Sequence, residues 1–149
     1  MRNLLFVFCL GIINLVPAQN IEEGICISGN CETGFGVKKY KDGTLYIGEW
    51  WNDVPSGDGT VIWGNGTIYV GQFYEGLYNG NGTLMSNHEL YIGEFKKHKQ
   101  YGKGTLFFAN GEVHVREFNS MGEKSKGYVK NNQGEWEEIS TSPTQPEKD

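Results

Sequence analysis

Glu49, Glu94 and Glu117 are the carboxylates whose spacing could do chemistry. Paired Asp and Glu side chains are the working parts of glycosidases, one acting as acid and the other as base or nucleophile. These three share one position of a repeated pattern, and Gln72 interrupts their column. They alternate with aromatic positions, so they belong on the opposite face of a strand. The expected reading is a solvated polar column, paired with Thr60, Thr83 and Thr105, and no enzyme. A catalytic pair would instead lose hydrolysis in Glu94→Gln. His88, His98 and His114 fall in a turn, a basic loop and a tyrosine column, with no ligand-like spacing. No metal site and no cofactor are expected. Gly57-Asp58-Gly59 and its relatives lack the helix N-terminus that a phosphate-binding loop requires.

Cysteine offers one further chemistry. Cys26 and Cys31 are separated by four residues, and Cys9 lies in an N-terminal apolar run. A zinc site would want closer spacing and more ligands. A redox pair would want two intervening residues and a helix start. A structural disulfide is therefore expected, closed by a turn at Gly29-Asn30.

The elements that position these residues repeat. Tyr46-Ile47-Gly48-Glu49-Trp50 returns as Tyr69-Val70-Gly71-Gln72-Phe73 and as Tyr91-Ile92-Gly93-Glu94-Phe95. It returns in worn form as His114-Val115-Arg116-Glu117-Phe118. The third residues step by 23, 22 and 23, a period that marks a repeat architecture. Ring, gap, glycine, gap, ring has period two, so each copy reads as a strand with its rings on one face. The glycine leaves room for a ring from the next strand, and the rings are expected to stack as a ladder.

A second pattern opens a strand in each unit. Gly57 and Gly59, Gly80 and Gly82, and Gly102 and Gly104 repeat the form of Gly34-Phe35-Gly36. Asp42-Gly43, Asn65-Gly66 and Asn110-Gly111 follow, and they are hairpin signals suited to a type I′ turn. The third copy lacks that glycine and is one residue shorter at Ser86-Asn87-His88-Glu89, which preserves strand register. Each unit is thus a hairpin, near 34–50, 57–73, 80–95 and 102–118. The polar connections, such as 51–56 and 96–101, read as loops along one edge.

These interlocking positions resemble the MORN repeat, strongly over about 34–118 and weakly over 127–136. The resemblance implies an all-β fold: an elongated, largely single-layer antiparallel sheet of consecutive hairpins. It implies scaffolding, partner binding or membrane association, and no active site. The ends depart from the pattern, with Arg116 for glycine and His114 for tyrosine. Terminal repeats cap an open edge, and Arg116, Lys124 and Lys126 would discourage edge-to-edge pairing.

The whole chain has 149 residues, 22 glycines and a formal charge of −5. An acidic chain without a basic cluster is a poor ligand for nucleic acid. Residues 1–18, with Arg2 before an apolar run and Val16-Pro17-Ala18 at its end, read as a secretory signal peptide. The run is short for a membrane-spanning helix. The expected organisation is leader 1–18, disulfide cap 19–33, repeats 34–118, degenerate repeat 119–139 and disordered tail 140–149.

Function follows as expectation. The chain reads as an exported, non-catalytic module with a protein partner. Cell-envelope glycan binding through Trp51, Trp63 and Trp136, or association with a membrane surface, stands as the alternative. The aromatic face, including Phe108, either packs along its own ladder or stays open as a partner site.

Overall fold

The computed structural model describes residues 24–120, 122–131 and 133–140. The expected leader 1–18, residues 19–23 and positions 141–149 of the expected tail lie outside the described residues. All strands belong to one antiparallel sheet in sequence order. They are β1 (Ile25–Gly29), β2 (Gly34–Lys39), β3 (Leu45–Trp51), β4 (Val54–Ile62), β5 (Ile68–Tyr74) and β6 (Leu77–Met85), followed by β7 (Glu89–Lys96), β8 (Lys99–Phe108), β9 (Val113–Phe118), β10 (Lys124–Lys130) and β11 (Trp136–Ser140). The hairpins β2–β3, β4–β5, β6–β7 and β8–β9 are the repeat units. The described residues contain no helix.

Several local features differ from the sequence expectations. Residues 25–29 form a full strand beside β2, and the disulfide ties that strand to the following turn. Ser140 closes β11. Arg116 lies on an internal strand, because β10 and β11 continue the sheet beyond β9, so it guards no edge.

The two kinds of turn are the reverse of expectation. At Asp42-Gly43 only the glycine has positive φ. Gly43 N–H donates to Tyr40 O, and Tyr40 N–H donates to Thr44 O. This is a type I turn closed by a glycine bulge, and the same bonds recur at Trp63 and Phe108. The positive-φ pairs are Asn52-Asp53, Glu75-Gly76 and Lys97-His98, where loops were expected. They form the tight type I′ turns that match sheet twist. Val54-Pro55-Ser56 is accordingly strand. The shortened turn at Ser86 is closed by Ser86 N–H donating to Glu89 O, and Ser86 Oγ accepts from Glu89 N–H.

These turns are also tied to one another across the edge. Asp53 N–H donates to Glu32 O, Gly76 N–H to Pro55 O, and His98 N–H to Tyr78 O. Each bond links one turn to an element two strands back.

A row of glycines crosses the sheet in register. Gly29, Gly36, Gly48, Gly59, Gly71, Gly82, Gly93 and Gly104 are successive partners on β1 to β8. A Cβ on Gly71 would lie 2.6 Å from Gly82 Cα and 2.7 Å from the Tyr69 hydroxyl. The space is taken by the tyrosine of the same strand, which lies along its own backbone and over its neighbour's glycine. The sequence expectation assigned that space to the next strand's ring alone.

The Cys26–Cys31 bridge closes a span of five residues. Chain entropy for so short a loop gives about 2 kcal/mol. Cys26→Ser is expected to lower the midpoint of thermal unfolding by about 5 °C, measured by circular dichroism. An unchanged midpoint would show that the bridge adds nothing to the folded sheet.

Candidate interaction surface

The ring ladder is built from the tyrosine and the last aromatic of each copy. Tyr46 meets Trp50 at 4.8 Å and Phe73 at 5.1 Å. Tyr69 meets Phe73 at 5.3 Å and Phe95 at 5.1 Å. Tyr91 meets Phe95 at 5.1 Å and Phe118 at 5.6 Å. Every one of these contacts is edge to face, each worth about 0.5–1.5 kcal/mol beyond area burial. The chain of rings therefore alternates steps along a strand with steps across an intervening glycine strand. All seven rings are at most 5% exposed. Of the two states expected for this face, the structure holds the packed one, and the rings offer no open patch.

The tyrosine hydroxyls complete the backbone. Tyr46, Tyr69 and Tyr91 donate to the carbonyls of Glu49, Gln72 and Glu94 at 2.9, 3.0 and 3.0 Å. Strand register slips at these places, between Gly48 and Trp50, Gly71 and Phe73, and Gly93 and Glu94. A bulge leaves a carbonyl outside the ladder, and the phenol satisfies it.

Burial pushes the Tyr46 and Tyr69 phenols well above their ordinary range. Tyr78, stacked on Tyr69 at 3.8 Å, is pushed up to about 12 by burial. Tyr91 is pushed up to about 12 by burial and then by the nearby Glu94 charge. Because folding raises these values, the stabilisation is complete below about pH 10, the ordinary phenol value. It is lost as pH climbs toward the folded values. The midpoint in urea is expected to hold from pH 8 to about 10 and to fall steeply up to about 12. A flat profile across that window would contradict the buried, neutral phenols.

The carboxylate column has a different partner from the expected threonines. Thr60 is paired with Ile47 and Val70, and Thr105 with Ile92 and Val115. The column instead covers Gly57, Gly80 and Gly102, each the fourth residue of its strand, β4, β6 or β8. Gln72 Oε1 accepts from Asn81 N–H at 2.9 Å, and Glu94 Oε1 accepts from Lys103 N–H at 3.3 Å. A side chain on Gly80 would run into Gln72, and one on Gly57 into Glu49. Gln72 and Glu94 thus fill the same repeat position as acceptors of a backbone N–H. Repeated acidic-or-amide identity at this position was the available signal.

The histidines have local partners. His98 accepts from Tyr78 N–H at Nδ1, 3.5 Å away, and meets the Tyr78 ring edge-on. Desolvation holds its pKa below the ordinary value. In the worn copy, His114 Nε2 lies 3.3 Å from Glu112 Oε2, and Arg116 Nη2 lies 3.2 Å from His114 Nδ1. An arginine can only donate, so Nδ1 is the acceptor and Nε2 carries the proton toward Glu112. This polar trio stands where the other copies place tyrosine over glycine. Among the described residues, no three His, Cys, Asp or Glu side chains converge as a metal site.

Exposed apolar side chains lie elsewhere. Ile47, Thr60, Val70, Thr83, Ile92, Thr105 and Val115 form one registered row on the face opposite the rings. Val70, Ile92 and Val115 are 49%, 47% and 40% exposed. Phe35 stands at one end of this face, beside a depression of about 320 Å³ lined by Ile47, Asp58, Thr60 and Val70.

The three tryptophans expected to bind are not brought together. Trp63 is half-buried and packs on Tyr78 at 6.2 Å. Trp136 is exposed on β11, with Lys130 Nζ 5.7 Å from its ring. Trp51 is exposed at the type I′ edge beside Tyr74, which sequence reading passed over. Tyr74 and Trp51 are 23 residues apart, so the repeat itself was the missed signal.

The model of the MORN repeat family matches residues 46–68, 69–87 and 91–113. No curated protein matches the chain.

Proposed function

Residues 46–113 are three consecutive MORN repeats, a repeat module of the kind often found in protein or membrane-lipid interaction, and from that premise we propose an exported, non-catalytic scaffold that holds a protein partner. The observation that carries this reading is where the repeat spends its polar groups. Tyrosine hydroxyls, Gln72 and Glu94 are each bonded to the sheet's own backbone. The remaining offer is a surface: a registered β-branched row, with exposed Phe35 beside it opposite Glu49.

Isolated exposed apolar residues need no explanation, but β-branched side chains in register on successive strands of one face offer a partner site. The leader 1–18 supports export, and the Cys26–Cys31 bridge suits an oxidising compartment. The test is affinity capture from the extracytoplasmic fraction with the mature protein and with Val70→Glu/Ile92→Glu. A partner held by the first and released by the second is the expected result. A protein that captures nothing and turns over a substrate would overturn the reading. Retention of residues 1–18 on the isolated protein would overturn its export.

One observation favours glycan binding as a second reading, namely the exposed pair Trp51 and Tyr74. Loss of array binding in Trp51→Ala would support it, and a blank array would end it.

A further inference from the structure

Trp51 and Tyr74 flank a cleft of about 450 Å³ at the type I′ edge, with Val54 and Ser56 between them. They occupy equivalent positions of successive repeats, yet neither belongs to the ladder. They are 63% and 58% exposed. Trp50 Nε1–H is spent on Gly36 O at 3.3 Å, and the ladder tyrosines spend their hydroxyls on carbonyls. Among the described residues, no group accepts from Trp51 Nε1–H or from the Tyr74 hydroxyl. The cleft thus presents two aromatic faces and two unused donors.

Its dimensions select a ligand. The two residues stand on β3 and β5, two strand steps apart, or about 9.5 Å. A polyproline II segment rises 3.1 Å per residue with three residues per turn, or about 9.3 Å. Prolines three apart would therefore meet one ring each. Polyproline carbonyls have no internal hydrogen bonds and are strong acceptors for free indole and phenol donors. Val54 between the rings suits an apolar pyrrolidine, and Asn52, Ser56 and Glu75 complete the lining.

The chain carries four prolines, and Pro143-Thr144-Gln145-Pro146 has this spacing. That stretch begins three residues past the end of β11. Extended chain covers at most about 3.6 Å per residue, so Pro146 reaches about 20 Å from Ser140. The Trp51 cleft lies eight strand steps away, about 38 Å across the sheet. A molecule cannot fill its own cleft with this segment, but another copy can. We infer that the Trp51–Tyr74 cleft docks the Pro143–Pro146 segment of a second copy, joining molecules head to tail. This rests on the scaffold reading and gives it a mode of assembly.

The test uses the full mature chain in sedimentation velocity up to about 1 mM, because isolated contacts of this kind are weak. Wild type is expected to associate with concentration. Trp51→Ala and, separately, Pro143→Ala/Pro146→Ala are each expected to weaken association at least about tenfold with unchanged melting curves. Mixing these two variants supplies one intact cleft and one intact tail, so it should restore a dimer that grows no further. Wild type that stays monomeric, association that survives either variant, or a mixture that fails to pair would each overturn the inference. Glycan binding lost in Trp51→Ala without self-association would assign the cleft to sugar instead. Capture of a partner through Val70 and Ile92 would still stand in any of those cases, so the two readings fail separately.

Discussion

Gly71→Val is expected to cost about 4 kcal/mol, a large part of the about 5–15 kcal/mol that holds a typical domain folded. The added Cβ would lie 2.6 Å from Gly82 Cα and 2.6 Å from Asn81 O. Both obstacles are backbone, held by ladder pairing on either side, so neither can step aside as a flexible side chain would. Relief requires separating β5 from β6, which also displaces Tyr69. Urea unfolding of the variant, followed by circular dichroism, should give a midpoint lowered by about 2 M. A midpoint within the error of wild type would refute the closeness of the glycine row. Gly66→Ala is the matched control. Nothing lies within 4 Å of that site, and only its φ of 84° resists a side chain. Its cost should be about 1 kcal/mol.

Tyr69→Ala is the second large effect, again about 4 kcal/mol. Tyr69 is fully buried and touches Phe73, Tyr78 and Phe95. Removing it takes out the centre of the ladder and leaves Phe73 and Phe95 joined through Tyr78, which meets them at 5.3 and 6.1 Å. Tyr69→Phe keeps the ring and loses only the bond to Gln72 O, so it should cost about 1 kcal/mol. Hydrogen exchange would locate the damage. Protection should fall first in β5 and its neighbours, since each repeat touches only adjacent ones. Equal costs for the two substitutions would mean that the hydroxyl, and not ring packing, holds the centre.

The period-two pattern and the 23-residue step were enough to place the hairpins and the ring ladder. Both rest on side-chain alternation, which sequence states directly. The turns at Asn52-Asp53 and Lys97-His98 were not legible, because two polar residues among other polar residues carry no mark of positive φ. Asn52, Asp53 and His98 are of types that tolerate it, and Lys97 is not. The covering of Gly57 and Gly80 was hidden for another reason. Gly57, Gly80 and Gly102 have φ of 78°, 100° and 56°, yet in sequence they are just the first glycine of a pair. Gln72 and Glu94 looked like part of a solvated column because the donors they accept from are backbone amides, which no residue name reveals. The interaction surface was least legible. Val70 and Ile92 follow the alternation of a strand, and whether the second face of a sheet is covered depends on a layer the sequence does not encode. Tyr74 was hidden because its residue type differs from that of Trp51, although the two share a repeat position.

Because the strand order along the sheet repeats the strand order along the chain, no strand waits for a distant segment to arrive. A sandwich or barrel must hold early strands idle until late ones are made, and that delay slows acquisition of structure. Here each newly delivered strand finds its pairing edge already laid down by the one before it. A polypeptide threading outward through a narrow pore, amino end first, could consolidate hairpin by hairpin on the far side, and each completed rung would resist sliding back.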